Sequence, residues 1–252
     1  MTTEELYDTL IEHLDNKKPL LHLRVGDGEA KFLHFPINSY ESKFVQTKQI
    51  NKLLNKFEFE DSKKKLSDVI CRANILGIPN SNEEKKSDWI YVPIVLNELK
   101  TRSDWTCESY CNMWVNRHLL ERRLIHKLLL KADSLVIISG RDVKDALLEK
   151  YKNIKNIEYY IIPPEQNYEK EIEKNKSIDT LKLFDEIAIN LRKEDRSGQL
   201  LFYGTGVLGK YIAQSFTEAG GVSLDLGSVF DIFAGRAHRG WAINLLSRHR
   251  LI

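Results

Sequence analysis

The stretch QLLFYGTGVLGKYIAQSFTEAGGVSLD, residues 199–225, decides how this chain reads. An apolar run at 199–203 is too short for a helix and leads into glycines. Apolar residues over 207–219 then recur at helical intervals, and 222–226 is a second short apolar run. Strand, helix and strand joined this tightly form two parallel strands with a crossover helix between them. The same alternation runs upstream. SLVIISG (134–140) reads as a strand, 142–151 as a helix, 157–162 as a strand and 178–193 as a helix. The chain is therefore of the α/β class, with a mostly parallel sheet and helices on both faces.

The N-terminal half fits the same sheet less regularly. Thr2 or Thr3 caps a helix running to about Asn16, and Leu20 to Val25 is a strand. Charged amphipathic helices are expected over 44–57 and 61–73, a strand over 74–78 and a helix near 112–131. Tyr91 to Leu99 fits helix or strand equally. One domain, 1–252, is expected, with residues 1–60 wrapped onto the sheet. In open sheets of this kind, ligands bind beyond the carboxyl ends of the strands. Segments 24–29, 139–142, 163–168 and 204–210 should gather there, with 225–231 beside them.

The bulk numbers exclude several classes. With 252 residues, 42% apolar and 29% charged content, the chain can bury a large core. A net charge of +2, with basic residues not interleaved with aromatics, argues against nucleic-acid binding. No apolar run reaches the roughly 20 residues that span a bilayer. MTTEELYDTLIEHL is acidic and helical, unlike a secretory leader. Cys71, Cys107 and Cys111 lack the neighbours of a zinc set and read as reduced thiols in a cytoplasmic protein. The basic amphipathic end, RGWAINLLSRHRLI, fits docking on the core, or peripheral contact with the inner membrane face.

Three segments carry chemistry. In LHLRVGDGEAKFL (21–33), Asp27 and Glu29 follow a strand end, with Gly26 and Gly28 leaving the backbone open. Two acids this close repel unless a cation lies between them. Mg2+ or Mn2+, bound by one or two carboxylates and substrate phosphates, meets that need, and Arg24 can bind a phosphate or clamp the acids. The plainer reading is a helix start, with Asp27 as cap and Glu29 in the first turn. Gly204, Gly206 and Gly209 form G-x-G-x-x-G between strand and helix, where backbone amides attract phosphate. Asp225 lies 21 residues beyond Gly204, where a dinucleotide-binding acid falls, so an NAD(P)-dependent oxidoreductase is one reading. Finally, Asp225 and Asp231, with Arg236 and His238 following, suit a nucleotide-sugar site in which an acid receives the acceptor proton. Asn167, in PPEQN, suits contact with a base or ribose. Trp89, Trp105 and Trp114 fit core or sugar-platform roles, and His22, His118 and His126 read as structural.

Taken in order, RVGDGEAKFL, PPEQNYE, the glycine loop near Gly204 and VSLDLGSVFD resemble the GT-D-type glycosyltransferases, a bacterial group first described as a domain of unknown function. The resemblance spans about residues 20–235. It implies a Rossmann-like, GT-D-type fold and a metal-dependent transferase that moves a sugar from a nucleotide diphosphate, typically a UDP-sugar with manganese. The acceptor would be a lipid-linked or protein-linked glycan of surface polysaccharide or glycoprotein synthesis. Carried over, Asp27 and Glu29 are the metal and diphosphate pair, one of them through water. Arg24 lies beside the donor, Gly204 to Gly209 lie on its nucleotide side, and Asp225 with Asp231 faces the sugar or acceptor. Val25 departs from the aromatic common in the family at that place, and the glycine loop is richer than usual. A non-catalytic nucleotide-sugar-binding module is the remaining alternative.

Overall fold

In a computed structural model, the described residues are 1–50, 53–80, 89–163, 179–236 and 240–250. Seven strands form one all-parallel sheet. They are β1 (Leu20–Arg24), β2 (Ile75–Ile78), β3 (Ser109–Asn112), β4 (Ser134–Ser139), β5 (Asn156–Ile161), β6 (Leu200–Gly204) and β7 (Val222–Asp225), in the spatial order β3-β2-β1-β7-β6-β4-β5. The central strands are buried on both faces, as parallel sheets require.

Twelve helices stand among the described residues, in two layers. On one face pack α2 (Asp27–His34), α3 (Tyr40–Ile50), α4 (Lys56–Cys71), α5 (Tyr91–Leu99), α9 (Thr180–Leu191) and α10 (Lys210–Glu218). On the other pack α1 (Thr3–Asp15), α6 (Val115–Glu121), α7 (Leu124–Lys131), α8 (Lys144–Lys150), α11 (Val229–Phe233) and α12 (Gly240–His249). Each layer has its own apolar core against the sheet, one around Phe32, Phe59 and Phe216, the other around Phe202, Phe230 and Phe233.

Local chemistry accounts for several boundaries. Thr2 and Glu5 form a reciprocal cap at α1. Asn55 and Glu58 do the same at α4, and the helices expected over 44–57 and 61–73 are instead Tyr40–Ile50 and Lys56–Cys71. The ambiguous 91–99 segment is helical, because Pro93 falls in its first turn, where no N–H is needed. The single helix expected near 112–131 is instead a strand and two helices. Residues 109–112 pair with β2, and Arg123, in the left-handed region at φ 60°, separates α6 from α7. Residues 1–60 do more than wrap the sheet, since they also supply β1 between β2 and β7.

The three cysteines are free and buried. Ala242, Leu245 and His249 of α12 are buried against the core, so that face of the helix is occupied by the protein itself. No helix among the described residues is long and apolar enough to cross a membrane.

Candidate active site

The chain leaves β1 toward one edge through β2 and β3. It then builds β4 and β5 at the far side and returns inward through β6 and β7. The carboxyl ends of β1, β7, β6 and β4 therefore meet where the winding direction changes, and a cleft of about 470 Å³ opens above them. Its size is that of a small-ligand site. The floor carries Arg24, Glu29, Lys210 and Asp225, and one wall carries Gly204, Thr205 and Gly206. Trp89, Trp114 and Phe44 supply aromatic surface, and Arg117, Arg141 and Asp231 lie on the α6 and α11 side.

The floor is a buried ionic quartet. Arg24 Nη2 donates to Asp225 Oδ1 at 2.9 Å, and the Arg24 backbone N–H lies 3.3 Å from Oδ2. Lys210 Nζ donates to Asp225 Oδ2 at 2.6 Å and lies 3.2 Å from Glu29 Oε1. Burial alone would push the Asp225 carboxyl up, yet Arg24 and Lys210 outweigh it and hold the group far below the usual range. Burial likewise disfavours the charged form of Lys210, and Asp225 and Glu29 reverse it, so the ammonium stays protonated. The guanidinium of Arg24 fits because residue 227 is glycine at φ +49°, where a Cβ would collide with Arg24 Nη2.

At the start of α2 the cap is Gly26 rather than Asp27. Glu29 Oε2 accepts from the Gly26 N–H at 2.8 Å, which is one half of a capping box. The segment is thus a helix start capped one residue earlier than expected, and it lines the cleft. The Lys210 ammonium lies between Glu29 and Asp225, not between the two acids of the turn. Asp27 has a different environment. Its side chain is 47% exposed on the cleft wall and lies 3.9 Å from Lys31 Nζ, whereas Glu29 is 12% exposed.

Of the residues singled out by sequence, Arg24, Gly26, Asp27, Gly28, Glu29, Gly204, Gly206, Asp225 and Asp231 all line this cleft. Gly209 and Arg236 do not line it. Gly209 packs so closely on Thr205 that a Cβ would collide with the threonine side chain, and the Arg236 backbone N–H donates to Asp231 O at 2.7 Å. Asn167 and His238 lie outside the described residues. Asp225, with both oxygens bound by cations in the interior, is poorly placed to accept a proton or a ribose hydroxyl. The dinucleotide reading loses its acid on that account. His22 is packed, as expected. Burial pulls its imidazole down to about 3, and Cys111 Sγ is 3.5 Å away.

Lys31, Phe44, Arg117, Arg141 and Lys210 line the cleft without having been singled out by sequence, and two of them show why. Lys210 directly follows the third glycine and opens α10. A cation at a helix N-terminus opposes the macrodipole, and that misfit was the available signal that carboxylates wait for it. Arg141 lies two residues past the end of β4 and donates from Nε to Asp231 Oδ1 at 2.9 Å. No pattern in the sequence distinguishes it from a surface arginine.

A parallel α/β sheet with a polar cleft at its switch point defines a ligand-binding class of fold, and comparison with known proteins narrows it. A family profile described as a GT-D fold-like domain matches residues 1–233, and the chain belongs to this GT-D-like family. Among solved structures, one from Streptococcus sanguinis described as a new glycosyltransferase of domain of unknown function 1792 aligns with a TM-score of 0.56 at 13% identity, covering 99% of this chain and 92% of that one. Another, described as that domain having a distinct glycosyltransferase fold, aligns with a TM-score of 0.52 at 16% identity, covering 92% and 78%. Nothing among curated proteins matches. The fold is therefore the glycosyltransferase fold of the domain of unknown function 1792 proteins.

Proposed function

We propose that this protein transfers a sugar from a nucleotide diphosphate, a UDP-sugar by preference, to a glycan acceptor carried on lipid or protein. The observation that carries the reading is the meeting of the Asp-x-Glu turn and the glycine loop in one cleft, across the Lys210 and Asp225 bridge. Neither segment alone is specific. Together they pair a carboxylate wall with a glycine-lined wall suited to phosphate, and Lys31, Arg117 and Arg141 add positive charge.

The donor groups fit a hard divalent ion in unequal measure. Among the described residues, no cluster of three or more His, Cys, Asp or Glu gathers to cage a metal. Mn2+ or Mg2+ with one carboxylate, water and diphosphate oxygens needs no such cage, and Asp27 supplies that carboxylate. Glu29 lies within reach through water. A bound ion would neutralise charge developing on the departing diphosphate.

The protein's own groups do the rest. Gly204 to Gly206 let a donor approach the backbone, the aromatic surface of Trp89 and Phe44 suits a sugar face, and a filled cleft excludes water. Asp231, on the cleft wall with Arg141 at one oxygen, is better placed than Asp225 to bind or deprotonate the acceptor hydroxyl.

The test is a panel of UDP-, GDP- and dTDP-sugars with and without manganese, read by donor hydrolysis and by thermal shift. Donor-selective stabilisation and turnover that need the metal are expected. Stabilisation by NADH alone, surviving chelation, would overturn the reading. UDP binding without turnover on any acceptor would demote the protein to a sugar-nucleotide-binding module.

A further inference from the structure

The helix α12 lies beyond residues 1–233, the part of the chain that the family profile matches, yet it reaches back to the cleft. Trp241, in its first turn, stacks on Arg117 of α6, with 4.0 Å from the guanidinium carbon to the ring centre. Trp114 does the same at 3.7 Å, so two indoles hold one guanidinium between them. Trp114 and Arg117 line the cleft, whereas Trp241 does not and backs them from the protein side. The Trp241 indole N–H is buried and has no hydrogen-bond partner among the described residues. A buried N–H left unpaired is a cost, so the face of this ring is used here and its polar edge is not.

We propose that Arg117, clamped by Trp114 and Trp241, selects an acidic acceptor by binding a phosphate or carboxylate group on the acceptor glycan, and that Trp241 is the positioning residue that holds it for this task. The proposal rests on the transferase reading above and names the class of its acceptor. Stacking engages the faces of a guanidinium, while its N–H donors lie in the plane and form the fork that matches two oxygens of an oxyanion. Indole faces attract the charge without neutralising it, as a carboxylate would. The clamp also removes rotamer freedom before the ligand arrives, so less is lost on binding. Its place in the cleft agrees with an acceptor role. Asn116 Nδ2 donates to Leu226 O at 2.7 Å, which seats α6 against the segment that leads to Asp231. Arg117 thus stands on the side of Asp231, the acid assigned above to the acceptor hydroxyl. Because Trp241 lies outside the profile, this selection belongs to this chain and not to the family at large.

Titration calorimetry with one disaccharide in three forms, UDP and Mn2+ being present, tests this without turnover. The forms are lactose, lactose 1-phosphate, and lactose with its galactose oxidised to the uronate. At least one charged form is expected to bind about tenfold tighter than lactose. Arg117→Gln should abolish that preference. Trp241→Ala should reduce it about threefold, and Trp241→Phe, which keeps an aromatic face, should restore it. Preference for the phosphate assigns the group to a carrier linkage, and preference for the uronate assigns it to the glycan itself. If Trp241→Ala does not fold, as judged by circular dichroism, Arg117→Gln still decides. A fall in Tm with the preference intact in Trp241→Ala would make that residue merely structural and overturn its part. Equal binding of the three forms, or binding of none, would overturn the acidic acceptor while UDP binding keeps the transferase reading intact. Loss of UDP affinity in Arg117→Gln with the preference unchanged would move Arg117 to the donor and overturn the proposal. Absence of UDP binding by the unaltered protein with Mn2+ would overturn both.

Discussion

Two ionic networks in this protein have a similar make-up and differ in how deeply they are buried. On the cleft floor, Arg24 and Lys210 hold Asp225 and Glu29. Between α4 and the turn after α5, Arg102 and Lys64 hold Asp68 and Asp104, with contacts of 2.6 to 2.8 Å. The distances are comparable. Exposure differs by degree, since the floor side chains are 3–16% exposed while Asp68, Asp104, Arg102 and Lys64 are 18%, 32%, 34% and 75% exposed. In water, a pair of this kind loses most of its Coulomb energy to screening and to the entropy of ordering long side chains. In the interior, the charges are costly to bury and costlier still to leave alone. Geometry by itself therefore says little about energy. The floor network constrains the site because no solvent stands ready to replace a missing partner.

The hardest blow to that contrast is Asp225→Ala. It takes the carboxylate from the Arg24 guanidinium, leaves Lys210 with Glu29 alone, and should cost about 3–5 kcal/mol, measured by urea unfolding, with donor binding lost as well. A loss as small as that of a surface pair would mean that water reaches the floor. Gly209→Ala attacks the same network from its support, because a Cβ there drives Thr205 and the first turn of α10, which carries Lys210, apart. About 1–3 kcal/mol should be lost in thermal or chemical denaturation.

Acid has an intermediate effect and starts elsewhere. His126 of α7 contacts Tyr151 and lies 2.9 Å from His249 of α12, and burial with Lys150 and His249 nearby pulls it down to about 4. A folded-state value below the unfolded one of about 6.5 means stability is full above 6.5 and drains away as pH falls toward 4. Unfolding free energy measured against pH should show that slope, reduced in His126→Gln. The contribution of Asp225, held low by its partners, is lost only below the ordinary aspartate range of about 3.9. The smallest effect belongs to Asp68→Asn in the outer network, at most about 1 kcal/mol and shrinking as salt rises to about 1 M. The loss in Asp225→Ala should not shrink with salt, and a parallel decline would erase the distinction.

Much of this arrangement was legible along the chain. Short apolar runs alternating with amphipathic helices define a parallel sheet, and six of its seven strands lie where those runs lie. The seventh, β3, was hidden because SYCN has no apolar run of its own and exists through its ladder with β2. The Asp-x-Glu turn was visible as a turn, since glycines beside acids have few other uses. Its true cap, Gly26, was not visible, because Glu29 reaching back to a backbone N–H is a matter of angles. Arg141 was invisible for the same reason, as its partner Asp231 lies 90 residues away.

By itself the sequence determined the class of fold, the elements whose ends carry ligand chemistry, and the family to which their order belongs. Periodicity, capping and turn chemistry are local, so a linear reading captures them. Only the tertiary structure decided which charges neutralise which. Asp27 and Glu29 look equivalent in sequence, yet Glu29 is paired with Lys210, 181 positions away, and Asp27 faces the cleft. Their difference comes from burial and from partners brought by the winding of β7 and α10 against β1. A Coulomb interaction depends on distance and dielectric environment, and neither is written along the chain.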